Sequence, residues 1–204
     1  MITKKDYAIG ALVGFFAGIF AIPTLVNLGV KSAGLLIALP PIAAILIAFG
    51  VWLGKFLSRW IGFLTQFAKF AAVGFLSTAI DFGVLNVLSM LTGITEGFKI
   101  GGVNIPGFAV AVCNGYLLNQ LWVFKARNEG EGLFHDFPKF LGVTIIGLLI
   151  NSGIIILITT YVAPSFGAGK EQWLNLAKAG ATAISLIWNF AGYKLVVFKK
   201  STTV

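Results

Sequence analysis

Six apolar stretches, each about 20 residues long, divide this chain of 204 residues. They cover roughly residues 7–26, 35–53, 70–91, 105–124, 140–162 and 174–198, and four of them hold no charged side chain. A stretch of this length crosses a hydrocarbon core ~30 Å thick. Nothing in that core can hydrogen-bond an open backbone, so each stretch must satisfy its own peptide groups as a helix. The chain is therefore expected to be an all-α integral membrane protein with six transmembrane helices. Composition agrees with this. Charged residues are 11% of the chain and the mean hydropathy is +0.94, where a soluble domain carries roughly 25% charged residues.

The flanks of the stretches set an orientation. With the N-terminus inside, eleven basic residues fall inside: Lys4, Lys5, Lys55, Arg59, Lys69, Lys125, Arg127, Lys139, Lys194, Lys199 and Lys200. Only four, Lys31, Lys99, Lys170 and Lys178, fall outside. The positive-inside rule then predicts a plasma (inner) membrane protein with both termini in the cytoplasm. The net charge of +8 does not indicate nucleic-acid binding, because the basic residues sit at the ends of apolar stretches rather than on one soluble face. The single cysteine, Cys113, and single histidine, His135, give no disulfide framework and no His/Cys metal site. No cofactor is expected.

Residues 1–54 read as an N-terminal hairpin of two transmembrane helices. The first carries Gly10, Gly14 and Gly18 at a four-residue spacing, a pattern that lets helices approach closely and predicts a seam for a homo-oligomer. Pro40 and Pro41 are expected near the start of the second helix, where a missing N–H costs least. In residues 55–68 a stripe of Lys55, Ser58, Arg59, Gly62, Thr65 and Gln66, leading to Lys69, opposes Phe56, Trp60, Ile61, Phe63, Leu64 and Phe67. That pattern suggests an amphipathic helix lying in the membrane interface. The other reading is an extension of helix 2 running into the start of helix 3.

Residues 69–204 contain a repeat. Gly115 to Lys125 and Asn189 to Lys199 align without gaps, with Leu121/Leu195, Val123/Val197, Phe124/Phe198 and Lys125/Lys199 coinciding. Upstream, Lys69-Phe70 opens a segment holding Asp81, and Lys139-Phe140 opens one holding Asn151. Residues 69–125 and 139–199 thus read as one two-helix hairpin used twice. Each copy crosses twice, so the two are expected to be parallel repeats about an axis along the membrane normal.

Asp81 is the one acid expected inside a span. A charge there costs at least ~2.5 kcal/mol on insertion scales, which makes it a functional candidate or a structural cross-helix partner. Asn151 is its counterpart. Asn119 shares a face with Tyr116 and Trp122, while Thr182, Ser185, Asn189 and Tyr193 form a stripe along helix 6. Intramembrane amides also serve simply as interhelical hydrogen-bond partners. Lys69, Lys125 and Lys194 lie at the cytoplasmic ends. They are either interface anchors or phosphate receivers in a cleft.

The Lys-Phe start, the mid-helix Asp81-Phe82 and the two stretches Gly115-Tyr-Leu-Leu-Asn119-Gln120-Leu-Trp122-Val-Phe124 and Asn189-Phe190-Ala-Gly-Tyr193-Lys194-Leu-Val-Val-Phe198 resemble the GtrA-like family of small polytopic membrane proteins. The resemblance covers residues 69–199. It departs from the family's Asn-Arg pattern at Gln120 and at Tyr193-Lys194, which weakens any fixed arginine clamp. It implies a role in cell-surface polysaccharide synthesis, translocating a polyprenyl-phosphate-linked sugar. Asp81, Asn119, Asn151, Asn189, Tyr193, Lys194, Lys69 and Lys125 would then be the residues that hold sugar or phosphate. The alternatives are a non-transporting anchor for a membrane glycosyltransferase, with contacts in residues 55–69 and 125–139, and a small proton-coupled carrier using Asp81. An enzyme is not expected. Asp81 has no second carboxylate with which to share acid and base roles, and no phosphate-cradling glycine loop occurs.

Overall fold

The computed structural model describes residues 3–27, 29–93, 99–124, 132, 134–163, 165 and 170–198. Among these the chain is all helical: α1 Lys4–Asn27, α2 Ala33–Leu57, α3 Leu64–Thr92, α4 Lys99–Leu118, α5 Phe137–Tyr161 and α6 Lys170–Gly192. Two π-helical turns, Asn119–Val123 and Tyr193–Val197, prolong α4 and α6. Three of the described helices, α1, α2 and α3, are long and apolar enough to cross a membrane, and Phe137–Gly147 and Ala183–Val197 are shorter apolar stretches. This is a membrane protein built from several apolar helices. The described residues cluster into two compact units, Met1–Lys125 and Ala126–Val204.

In the first unit α1 and α2 form a tight hairpin. Gly29 ends α1 with φ +89°, a left-handed geometry that costs glycine no Cβ clash. Its N–H donates to the Val26 carbonyl, and the Val30 N–H donates to that of Leu25, each at 3.0 Å. These two bonds make a Schellman C-cap. The return helix opens on Ser32, whose Oγ accepts from the Leu35 N–H.

The glycine stripe of α1 faces α2. A Cβ at Gly14 would strike the backbone of Ala43 and Ala44, and one at Gly18 would strike Pro40. A homo-oligomer seam through Gly10, Gly14 and Gly18 is thus corrected: α2 of the same chain fills it. Such close contact is how helices associate where lipid removes the ordinary hydrophobic drive.

Several expected boundaries move. Pro40 and Pro41 lie well inside α2, where they cannot donate to the carbonyls of Leu36 and Ile37. Pro106 likewise lies inside α4, which begins at Lys99 rather than near residue 105. Residues 55–68 form no helix of their own. α2 continues to Leu57, residues 58–63 are turns, and α3 begins at Leu64. The polar stripe is therefore split between two helices, while Phe56, Trp60, Ile61 and Phe63 remain exposed to the surroundings.

α3 lies against α1. A Cβ at Gly83 would strike the Phe20 carbonyl. Nearby, the Asn86 amide donates to Thr24 Oγ1 at 3.2 Å and its Oδ1 accepts from the Asn27 amide. In the second unit α5 and α6 pack through Gly147 against Asn189 and through Gly192 against Val143.

Gly14→Leu forces a branched side chain into the α1–α2 contact. Overpacking of this kind costs about 1–3 kcal/mol, so the detergent-solubilised variant is expected to melt at lower temperature than the parent. Gly34→Leu is the control, because a Cβ there meets no atom within 4 Å, and it should leave the melting temperature unchanged.

Candidate functional site

A buried ion pair lies at the end of the first unit where α1 and α3 begin. Thr3 and Asp6 are an N-cap and the acid three residues on. The Asp6 Oδ2 accepts the Thr3 N–H at 2.7 Å and the Thr3 hydroxyl at 3.0 Å. The first of these is the acid half of a capping box. The other carboxylate oxygen, Oδ1, accepts from Lys69 Nζ at 2.5 Å and from the Trp122 indole N–H at 3.0 Å. The Asp6 and Lys69 side chains are only 3% and 6% exposed. Lys69 Nζ also lies 5.6 Å from the centre of the Trp122 ring, within cation–π range. Here an acid, an ammonium and an indole satisfy one another where water is excluded.

The apolar pattern that begins at Tyr7 leaves Asp6 outside the first span and outside the candidate site residues. The local signal was present: Thr3-Lys-Lys-Asp6 immediately before an apolar run is a capping-box pattern. Its consequence for Lys69 could not be read locally, since the partners are 63 residues apart.

Deeper in the same unit, Asp81 sits on α3 against the backbone of α4. A Cβ at Gly107 would lie 2.7 Å from the Asp81 carbonyl oxygen and 3.2 Å from its Oδ1. One turn before Asp81, Ser77 accepts a long hydrogen bond, 3.4 Å, from the Asn114 amide. Asn119 and Gln120 are both 3% exposed and open the π-helical turn. The Asn119 amide donates to the Gly115 carbonyl at 2.7 Å. Asp81 Oδ1, Asn119 Oδ1 and Gln120 Oε1 are buried acceptors with no hydrogen-bond partner among the described residues. A buried acceptor left unmet costs roughly 1–3 kcal/mol, so each such group calls for a reason.

In the second unit the helix 6 stripe turns toward α5. The Ser185 hydroxyl is 3.2 Å from the Gly147 carbonyl and 2.9 Å from that of Ala181. The Asn189 amide packs on Gly147, and its Oδ1 is a further buried acceptor with no partner among the described residues. Tyr193 stacks on Phe140 with ring centres 4.4 Å apart, and its hydroxyl lies 2.7 Å from Thr144 Oγ1. Lys194 Nζ sits 5.7 Å from the Phe190 ring centre. Lys139 pairs with Asp136 across one turn at 3.0 Å.

The two π-helical turns fall at positions paired by the aligned stretches, Asn119 with Tyr193. They close in the same way, with the Phe124 N–H donating to the Asn119 carbonyl and the Phe198 N–H to that of Tyr193. A π-turn takes an extra residue into the helix and re-aims the side chains beyond it, and such turns recur at functional sites. No periodicity argument based on 3.6 residues anticipates it.

Of the expected site residues, the first unit holds Lys69, Asp81 and Asn119, but Lys69 faces Asp6 and is not a free cation. The second unit holds Asn189, Tyr193 and Lys194. The side chain of Asn151 and the whole of Lys125 lie outside the described residues. No group of three or more His, Cys, Asp or Glu residues that could hold a metal ion occurs among the described residues.

These features define a polytopic helical membrane protein with isolated buried acceptors along its spans. A family model described as GtrA/DPMS, transmembrane domain, matches residues 69–198. The match covers more than half of the chain, and the chain belongs to this family. Membership points to a glycan-related membrane function. No curated protein and no solved structure matches the chain.

Asp6→Ala leaves the Lys69 ammonium buried without a counter-charge. Breaking one side of a buried pair costs about 3–5 kcal/mol, and chemical denaturation in detergent should register a loss of that size. The double variant Asp6→Leu/Lys69→Met removes both charges and should recover most of the stability.

Proposed function

We propose that this protein acts in cell-surface glycan synthesis by moving a polyprenyl-phosphate-linked sugar across the plasma membrane, with both termini in the cytoplasm. The observation that carries this reading is the set of buried acceptors on the family-matched helices: Asp81 Oδ1, Asn119 Oδ1, Gln120 Oε1 and Asn189 Oδ1. Acceptors need donors, and a sugar presents a ring of hydroxyl donors. An apolar solute supplies none. Within either unit a sugar would meet acceptors that are costly to leave unmet, and a site built to hydrogen-bond hydroxyls discriminates strongly against ligands that lack them.

The phosphate needs a cation that is not already spent. Lys69 is paired with Asp6. Lys194 is in no ion pair among the described residues and lies just inside the π-helical turn that prolongs α6. We assign it a contact with the phosphate during translocation. In this reading α3–α4 and α5–α6 are two copies of one hairpin that have diverged at the contact positions, with Asp81 against Asn151 and Gln120 against Lys194. The chain supplies a path and no catalytic group.

Proteoliposomes loaded with a labelled polyprenyl-phosphate sugar test this directly. Protein-containing vesicles should expose the label to a membrane-impermeant reagent faster than protein-free vesicles. Asp81→Ala should slow the initial rate about tenfold or more, equivalent to about 1.4 kcal/mol in the barrier. Equal rates with and without protein would rule out transport and favour the anchor reading. That reading requires a glycosyltransferase that co-purifies and is lost when residues 125–139 are replaced.

A further inference from the structure

An apolar groove of about 670 Å³ runs between α1, α2 and α3, inside the roughly 300–1,000 Å³ range of small-molecule sites. Ala17 and Ala21 on α1, Ala43 and Gly50 on α2, and Ala68 and Ala71 on α3 form its floor and walls, and every residue lining it is alanine, glycine, leucine, isoleucine or phenylalanine. No side chain in it can hold a sugar, a phosphate or a metal. It is formed largely by the helices that precede the family match at residue 69.

The dimensions of the groove select its occupant. The α2 residues that line it extend from Leu39 to Leu57, about 27 Å at 1.5 Å per residue. Those of α3 extend from Leu64 to Ala79, about 22 Å. Half of a ~30 Å hydrocarbon core is about 15 Å. A chain that fills the groove must therefore pass the bilayer midplane, which the acyl chain of an ordinary phospholipid held in one leaflet does not do.

The two ends differ. At the Leu39 end the groove stops six residues short of Ala33, where α2 begins, about 9 Å inside the helix end. The lining at this end is apolar throughout. At the other end Leu57 and Leu64 flank the turn that joins α2 to α3. That turn carries Arg59, and Lys55 follows the lining residue Gly54. Both cations are exposed, and neither is in an ion pair among the described residues. Their contacts are aromatic: Lys55 Nζ is 5.9 Å from the Tyr7 ring centre and the Arg59 guanidinium is 5.1 Å from that of Phe56. A long apolar slot with exposed cations beside the turn at one end is complementary to an amphiphile with one long tail and an anionic head.

We propose that this groove holds the tail of a long-chain polyprenyl phosphate, with the phosphate at Lys55 and Arg59. The inference rests on the lipid-phosphate reading above and adds a place for the tail, outside the polar positions that meet the sugar. The N-terminal hairpin then serves as a tail holder that keeps the carrier lipid beside α3 while its head group moves.

Gly50 provides the test. It lines the groove, and a Cβ there meets no atom within 4 Å, so Gly50→Phe fills the space without moving backbone. The full chain is purified in detergent with a long-chain polyprenyl phosphate, and retained lipid is counted by native mass spectrometry. The parent should retain one lipid. Gly50→Phe should retain at least tenfold less at an unchanged melting temperature, and Lys55→Ala/Arg59→Ala should lower retention of the phosphate but not of the matching polyprenol. Undiminished retention by Gly50→Phe overturns the proposal. So does equal retention of phosphatidylglycerol, which would make the groove an ordinary lipid contact. If Gly50→Phe misfolds, a polyprenyl phosphate with a photoreactive tail is crosslinked to the parent. Adducts on α2 and the first half of α3 support the groove, and adducts confined to α4–α6 overturn it. Retention without transport in proteoliposomes would remove the transport reading alone, and transport with no effect of Gly50→Phe would remove this inference alone.

Discussion

The first unit depends on one carboxylate. Asp6 accepts from Thr3, Lys69 and Trp122, which ties the start of α1, the start of α3 and the π-helical end of α4 to a common level. A charge in an apolar setting is tolerated only when it is paired and hydrogen-bonded, so none of the three groups can leave without stranding the others. At the far end Asn86 on α3 engages Thr24 and Asn27 on α1. Two polar clamps, one near each end, make α1 and α3 parallel neighbours. Between them Gly83 lets the two backbones meet at Phe20.

This arrangement changes the status of the first 68 residues. They precede the family match and would pass for an appendage. Yet the acid that neutralises Lys69 comes from them, and so do most of the walls of the apolar groove. The hairpin is tied to the matched region by charge, by amide hydrogen bonds and by backbone contact. The same tie removes Lys69 from the set of cations free to meet a ligand. Lys55, Arg59 and Lys194 are among the described basic residues without an ion pair, and they stay available to receive an anion.

Much of this was legible without coordinates, for identifiable reasons. Uncharged runs of membrane-spanning length leave the backbone no choice but helix, so the all-helical class followed directly. The stripe Ser185, Asn189, Tyr193 was legible as a polar face, and it does meet α5 through Gly147 and Thr144. Helix boundaries were less legible. Pro40 and Pro41, expected near the start of the second helix, sit in its interior, and Pro106 is likewise interior to α4. Lys99 and Lys170 fall outside the apolar stretches 105–124 and 174–198, yet they begin α4 and α6. Residues 55–68 have a continuous amphipathic pattern, and the chain nevertheless turns within it.

The sequence by itself determined that the chain is an integral membrane protein of apolar helices with charges held at their ends, because span length and hydropathy are properties of contiguous residues. It also marked Asp81, Asn119 and Asn189 as polar groups in apolar company. Only the tertiary structure decided which of these polar groups are satisfied. Lys69 is met by an acid 63 residues away, the glycines of α1 are met by α2, and Asp81, Asn119, Gln120 and Asn189 each keep an acceptor unmet among the described residues. Pairing across such distances depends on which helices become neighbours. It also depends on π-helical turns that re-aim side chains away from the positions a regular helix would give them.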